Sequence, residues 1–411
     1  MSTSTDVMLV LATGHQKFRE YLLGGTSRYG VPLWVFDPEP PTWQRQYAAG
    51  VDVLDVFDPP TAVKAAQLLS RQRTVRGVYS YHEAAILAAA CVAESLRLPG
   101  PTPEAVATVR DKYLTRDRLS AAGLRQPRYA VVHLGEDPAP AANKIGFPLV
   151  VKPRGLGASQ GVVKAAEPDE LATALATARA ATQAGMTNDG SVLLEEYLTG
   201  PEISLDAAIF DGEYLPYILA RKLVGDEPYF EEVGHTIDPR DPLLKDRDLI
   251  GMVAAAHEAV GWRHGSTHTE VKLTPTGPVL VEINGRLGGD LIPYIGQIAT
   301  GVDSGVVAAD VALGRRPDVT PTQQVHTAIR FLRPPVTAVI EQVELPRPGS
   351  VPGLVDAFQI AGPGDRLALP PEGYTPRYGC LITRGESTRE CQATLDRAAA
   401  AARLEYRPAD D

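Results

Sequence analysis

Cysteine is scarce in this 411-residue chain: Cys91, Cys380 and Cys391 lie far apart and without metal-ligand spacing. That pattern excludes a disulfide framework or a zinc ribbon and reads as core thiols in a reducing compartment. A cluster of Lys and Arg is also missing, and the net charge is −10. Phosphate neutralisation along a nucleic acid needs such clusters, so a dedicated nucleic-acid binder is excluded, although a few local cations can still hold a small anion. The opening MSTSTDVMLVLATGHQ has no basic n-region and too short an apolar run for a signal peptide or a membrane span, so a cytoplasmic protein is expected. Internal repeats and low-complexity tracts are absent as well.

What is present is ordinary globular composition, 44% hydrophobic and 22% charged, enough to bury a sizeable core over about three domains of roughly 150 residues each. From Val7 to about Pro103, short apolar runs (VMLVLA, PLWVFD, RGVYSY) alternate with helical stretches (FREYLLGG, AVKAAQLLS, EAAILAAACVAESLRL). This is the pattern of βαβ units on a parallel sheet. Ligands on such sheets sit at the carboxyl ends of strands, where Gly14, His15, His82 and Glu83 fall; ordinary loop and helix-start positions are the alternative. DKYLTRDRLSAAGL, from Asp111, predicts a helix closed by Gly123. FPLVVKP, VLLEEYL, ISLDAAIF, THTEVKLT and PVLVEIN then predict antiparallel strands between Gly and Pro turns. The chain thus reads as α/β followed by α+β. A boundary falls near residues 315 to 324, and after HTAIRFL and YGCLITRG an amphipathic helix is predicted around Glu390 to Leu404.

FPLVVKPRGLGASQGVVKA sets a glycine-rich loop, residues 155 to 161, between two short strands. No Gly-Lys-Ser/Thr follows, and Gln160 with a strand after it departs from the Rossmann fingerprint. The remaining readings are a plain glycine turn or a hairpin whose backbone N–H groups close over phosphates, with Lys152 at its base. In SVLLEEYLTGPEIS, Glu195, the backbone at Tyr197 and Leu198, and Glu202 have the chemistry to read adenine and ribose, against the simpler reading of a solvated strand end.

HTEVKLTPTGPVLVEINGRLGG predicts a hairpin in which Leu273 faces Val279, Glu270 faces Glu282 and His268 faces Asn284. Alternation sends Val271, Leu273, Val281 and Ile283 to one face and Glu270, Lys272, Glu282 and Asn284 to the other. Opposed like charges destabilise a sheet by up to roughly 1 kcal/mol. A hard divalent cation reverses the sign, and two carboxylates with an amide oxygen suit Mg²⁺; a solvated acidic face is the alternative.

Lys112, Lys152 with its loop, EEYLTGPE, and HTEVKL…VLVEINGRLGG together resemble the ATP-grasp superfamily in order and spacing, and most resemble its carboxylate–amine ligases of the L-amino-acid ligase type. The resemblance implies a Rossmann-like preATP-grasp domain (residues 1–108), an ATP-grasp core (109–318) with a mobile lid (about 113–195) and a C-terminal cap (319–411). It implies ATP and Mg²⁺, with Mn²⁺ as a substitute. Lys112, Lys152 and the loop residues Gly155, Gly157, Ser159 and Gly161 would meet the phosphates, with Lys222 also near the nucleotide. Glu195, Tyr197 and Leu198 would hold adenine, and Glu202 the ribose. Glu270, Glu282 and Asn284 would bind metal, and Arg286 would steady the transferred phosphoryl group.

The implied reaction joins a small-molecule carboxylate, activated as an acyl phosphate, to an amine, with release of ADP and phosphate. Positioning and charge neutralisation are what such phosphoryl transfer demands. In GDEPYFEEVGHTIDP, residues 225 to 239, His235 and Glu232 are candidates to orient the amine or take its proton. Arg330 is a candidate for a substrate carboxylate, with a structural ion pair as the alternative. Neither nucleic acid nor membrane is expected as a partner, and a homodimer is left open. Biotin-carboxylase-like and purine-pathway enzymes share the implied core, and a non-catalytic ATP-binding regulator is a reading from another class.

Overall fold

The computed structural model describes residues 6–225 and 227–409. The extreme ends of segments 1–108 and 319–411, and Asp226 within 225–239, lie outside the described residues.

The first segment follows its apolar rhythm. Strands β1 (Asp6–Leu11), β2 (Leu33–Asp37), β3 (Ala48–Val53) and β4 (Thr74–Tyr79) form a parallel sheet in the order β3-β2-β1-β4. Helices α1 (Gln16–Ser27), α2 (Pro59–Leu69) and α3 (Ile86–Leu96) connect and cover it. Central β1 is buried along almost its whole length, as a parallel strand covered on both faces should be. Helix α4 (Pro103–Arg110) leads to α5 (Lys112–Ala121), whose N-terminus Asp111 caps by accepting from the N–H groups of Tyr113 and Leu114. Gly123, at φ +67°, lies just beyond its end.

The lid is a four-stranded antiparallel sheet, β5-β8-β6-β7, made of β5 (Tyr129–Val132), β6 (Leu149–Pro153), β7 (Val163–Ala165) and β8 (Val192–Glu196), with α6 (Ala139–Ile145) and α7 (Leu171–Ala180) packed on it. β9 (Glu202–Phe210), β10 (Glu213–Val224), β11 (Glu232–Ile237), β12 (Gly265–Thr274) and β13 (Gly277–Asn284) form most of a larger antiparallel sheet. Helices α8 (Arg247–Ala259), α9 (Ile292–Thr300) and α10 (Ser304–Ala312) accompany it. The sheet continues past residues 315 to 324 into β14 (His326–Leu332), β16 (Leu354–Gln359) and β18 (Gly379–Gly385), in the order β13-β12-β9-β10-β11-β14-β18-β16. One hydrophobic core, with Ile218, Ile295, Ile329 and Ile382, therefore spans both sides of that boundary.

Strands β15 (Ala338–Glu344), β17 (Arg366–Leu367) and β19 (Arg403–Pro408) make a small outer sheet, and α11 (Thr388–Ala401) lies against β14 and β18. The final helix begins and ends earlier than predicted, at Thr388 and Ala401. Ala402 is extended and Leu404 belongs to β19, because RLEYRP alternates with period two and pairs with β15. No helix among the described residues is long and apolar enough to cross a membrane.

Candidate active site

The β12–β13 hairpin closes through Pro275 and Thr276, with Gly277 at φ +114°. Glu270 faces Glu282 and His268 faces Asn284, as the sequence predicts. Between Glu270 and Val271 the register slips by one residue, so that Leu273 pairs with Pro278 instead of Val279. The bulge also corrects one facing: Val281, expected on the core side with Val271, lines the cavity next to Glu282. A bulge leaves ladder carbonyls unpaired. The Arg116 guanidinium on α5 donates to them, to Leu280 O at 3.3 Å and Val281 O at 2.6 Å.

A cavity of about 190 Å³ runs between the lid and the large sheet. The opposed glutamates do not repel across it, because each holds an ammonium. Lys112 Nζ lies 2.9 Å from Glu282 Oε1, and Lys222 Nζ lies 2.9 Å from Glu270 Oε2. Lys222 reaches from β10 across β9 and also contacts Glu202 at 2.6 Å and Glu232 at 2.7 Å. Burial alone would lower the Lys222 ammonium, but these carboxylates override it and hold it well above the usual lysine range. Glu270 is the reciprocal case: burial would raise it, while Lys222 and His268 hold it well below the carboxylate range. His268 is itself buried beside Asp206, at 2.5 Å from Nδ1, and despite desolvation Asp206 and Glu270 raise it to about 9. With Asn284 also on the cavity wall, these oxygens form a hard-donor set from which the two ammonium groups would have to turn away for a metal to enter. It fits a divalent ion such as Mg²⁺.

At the lid end, Glu195 is enclosed. Arg116 Nε lies at 2.6 Å and Lys152 Nζ at 2.6 Å, and against the raising effect of burial they hold the carboxyl at about 2. Burial lowers the Lys152 ammonium, with Arg116 and Lys112 adding to the effect against Glu195. The Glu195 side chain thus anchors the two cations, leaving the backbone at Tyr197 and Leu198 on the cavity wall. Glu202, at the next turn, pairs with Lys222 and, at 3.1 Å, Lys272. That turn needs Gly200: its φ is +126°, and a Cβ there would sit 2.2 Å from Leu273 O.

Of the loop residues, Gly157 and Ser159 line the cavity, whereas Gly155 and Gly161 do not. Gly161, at φ +72°, is required by packing, since a Cβ would meet Ala181 Cβ at 2.6 Å. Ala158 and Ser159 hold consecutive left-handed backbones (φ 53° and 55°), the kind of strain that collects at ligand clamps. Arg286 lines the cavity and its Nε donates to Glu83 Oε2 at 2.8 Å, which brings the first domain to the hairpin. His82 packs under Gly14, and His15 caps α1 without a side-chain bond; neither lines the cavity.

The other end of the cavity was only partly legible. Glu232 lines it, but His235 is fully buried one layer behind, its Nε2 at 3.2 Å from Glu232 and 3.5 Å from Asp290. Burial would lower His235, yet those two carboxylates raise it. Three ligand atoms of Glu232, His235 and Asp290 lie within 4.8 Å of one another; Lys222 on Glu232 and Arg377 on Asp290 already supply the cations there. Arg330 is the structural alternative, pairing with Asp396 on α11 at 2.8 Å. The arginine that reaches the cavity is Arg377, just before β18.

Comparison with known proteins then decides the family. Residues 145–294 match the ATP-grasp domain model, and residues 330–407 match the L-amino acid ligase C-terminal domain 2 model. The chain carries an ATP-grasp domain and a C-terminal domain of the L-amino acid ligase kind. It is 26% identical over 338 residues to carnosine synthase 1 of Gallus gallus, covering 76% of this chain and 35% of that one. It is 30% identical over 206 residues to a D-alanine–D-alanine ligase of Azoarcus, covering 47% of this chain and 64% of that one. An uncharacterised Sinorhizobium fredii protein, y4rH, is 25% identical over 339 residues, covering 80% of this chain and 68% of that one. The ATP-grasp chain thus spans about a third of the carnosine synthase and about two thirds of the other two relatives. The fold matches an L-amino acid ligase from Bacillus licheniformis at TM-score 0.81 and 20% identity, over 99% of this chain and 100% of that one.

Arg116, Asp206, His268, Asp290 and Arg377 are the functional surroundings that sequence reasoning did not assign. Arg116 was within reach, since it stands four residues after Lys112 on one helix face. Arg377 was not, because it meets Asp290 across 87 residues of sequence.

Proposed function

We propose that this ATP-grasp chain is an ATP-dependent carboxylate–amine ligase that forms an amide between amino acids or similar molecules through an acyl phosphate, releasing ADP and phosphate. The observation that carries the reading is the cavity itself. Lysines and a glycine loop line one end, two lysine-neutralised glutamates with Asn284 and Arg286 line the middle, and a second set of charged groups lines the other end. The C-terminal match to L-amino acid ligases supports amino acids over the substrates of biotin carboxylases or purine-pathway enzymes.

In this reading the Tyr197–Leu198 backbone holds adenine, Glu202 the ribose, and Lys112, Lys152 and the Gly157–Ser159 backbone the phosphates. Glu270, Glu282 and Asn284 would hold Mg²⁺, which would supply neutralisation of phosphate charge. The ammonium groups of Lys112 and Lys222, which rest on those same glutamates, are placed to turn toward the phosphates. Arg286 stabilises charge on the transferred group and on the acyl phosphate. A carboxylate oxygen attacks the γ-phosphorus and ADP leaves; the amine nitrogen then attacks the acyl carbon, and the C–O bond to phosphate breaks. The ammonium must lose one proton before that attack and a second as the C–N bond forms. Glu232 lines the cavity and is the acceptor at that end, and His235, buried behind it between Glu232 and Asp290, acts as a positioning residue. The closed lid keeps water from the acyl phosphate.

The reading is tested by mixing the protein with Mg-ATP and pooled amino acids. ADP release that depends on the amino acids is expected. ATP binding without ADP under any pool would favour a regulator, and AMP in place of ADP would contradict an acyl phosphate.

A further inference from the structure

The cavity ends at a charged pair that no step above uses. Arg377 donates through Nη1 to Asp290 Oδ1 at 2.6 Å and through Nη2 to Asp290 Oδ2 at 2.7 Å, a parallel two-bond fork. Its Nη2 also donates to the Glu232 carbonyl at 2.9 Å, and its guanidinium lies 3.6 Å from the Phe331 ring centroid. The plane of the fork is therefore fixed before any substrate arrives. Both side chains line the cavity, with Asp290 22% exposed.

Asp290 and Leu291 hold left-handed backbones, φ 52° and 60°, although neither is glycine and Gly289 stands next to them. Such strain persists only where surrounding structure imposes it. Here it turns the Asp290 carboxylate onto the fork.

We infer that Asp290 and Arg377 recognise the amine substrate of this ligase through the carboxylate that stays unreacted. The inference rests on the ligase reading. A zwitterion carries one ammonium and one carboxylate, the complement of this pair. The Asp290 carboxylate holds the Arg377 fork in the place of a substrate carboxylate; when the substrate carboxylate takes that place, the released Asp290, with Glu232, offers oxygens to the ammonium. A ligase joining two amino acids handles two carboxylates, and two arginines line the cavity among the described residues. Arg286, beside Glu282 and Asn284, serves the carboxylate that reacts. Arg377, at the far end, serves the one that does not. The product keeps a free carboxylate, and the cap domain that supplies Arg377 selects the second substrate.

The test uses the whole chain with Mg-ATP, each proteinogenic amino acid in turn as acid, and L-alanine or L-alaninamide as amine, with products resolved by mass spectrometry. In the wild type L-alanine should exceed its amide by about tenfold or more in kcat/KM, a difference of about 1.4 kcal/mol. Arg377→Gln should raise KM for L-alanine selectively and bring that ratio near one, and Arg377→Lys should restore part of it. Asp290→Asn should raise KM for both amines, because both carry the ammonium; that variant keeps the question answerable if Arg377→Gln does not fold. An amide used as well as the acid, a ratio unmoved by Arg377→Gln, or Arg377→Lys no better than Arg377→Gln would overturn the inference and leave the ligase standing. Mg-ATP binding by calorimetry with no product from any pair would overturn the ligase reading and this inference together.

Discussion

Single residues here act through the charges that flank them. Glu270 and Glu282 looked in the sequence like an electrostatic fault to be relieved by a metal or by solvent. Lys222 and Lys112 mend it first, from an adjacent strand and from α5. Glu282→Ala would remove a proposed metal ligand without removing packing, so turnover should fall by roughly 10²-fold or more while circular dichroism stays that of the wild type; activity near wild type would remove Glu282 from the proposed metal set. Arg116 is different, because it ties Glu195 to the bulge carbonyls in a buried setting. Arg116→Ala leaves Glu195 with Lys152 alone and takes the donor from the bulge carbonyls; it should cost about 3–5 kcal/mol in urea unfolding, the range for breaking a buried ion pair.

The pH dependence of that pair follows from its sign. Glu195 is held at about 2, below its unfolded value of 4.5. Its contribution is fully present above pH 4.5 and is lost as the pH falls toward 2. An acid titration of Glu195→Gln should lack that part of the loss; a curve parallel to the wild type through this window would contradict the assignment.

At the scale of elements, what was legible had a local period. The parallel strands, α5 with its glycine, and the opposition of Glu270 to Glu282 all follow from alternation, helical spacing or turn residues close in sequence. The bulge after Glu270 was not legible, because nothing in VLVEIN marks which residue is extra; a guanidinium from α5 stabilises it. The end of α11 was misjudged for a related reason, since Leu404 continues a helical pattern locally and only β15 draws it into a strand. The glycine-rich loop joins two antiparallel strands, β6 and β7, as placed between strands in the sequence, yet its glycines have separate tasks. Gly161 is a packing glycine, so Gly161→Ala should destabilise the lid by roughly 1–3 kcal/mol. Hydrogen exchange should show that loss in β6 and β7 and not in β1; unaltered protection would show that the neighbouring Ala181 can yield.

Across the whole molecule, the site belongs to no single segment. Glu83 comes from the first domain, Lys112 and Lys152 from the lid side, Glu270 and Arg286 from the hairpin, and Arg377 from the cap. Sequence reading reached the groups that sit in motifs and missed those that meet only by folding. Alternating charges run from Glu270 through Lys222, Glu232, His235 and Asp290 to Arg377. Mg-ATP binding to the folded chain alone should raise its thermal stability, by about 2.7 kcal/mol at one hundred times the dissociation constant. A melting temperature unmoved by saturating Mg-ATP would contradict nucleotide binding in this cavity.

The acyl phosphate is the central claim, and oxygen transfer tests it most directly. If the acid substrate carries ¹⁸O in its carboxylate, attack on the γ-phosphorus moves one labelled oxygen onto phosphate, where it stays when the amine displaces it. The account predicts that released phosphate carries that label in step with amide formed. Amide formation with unlabelled phosphate would contradict it.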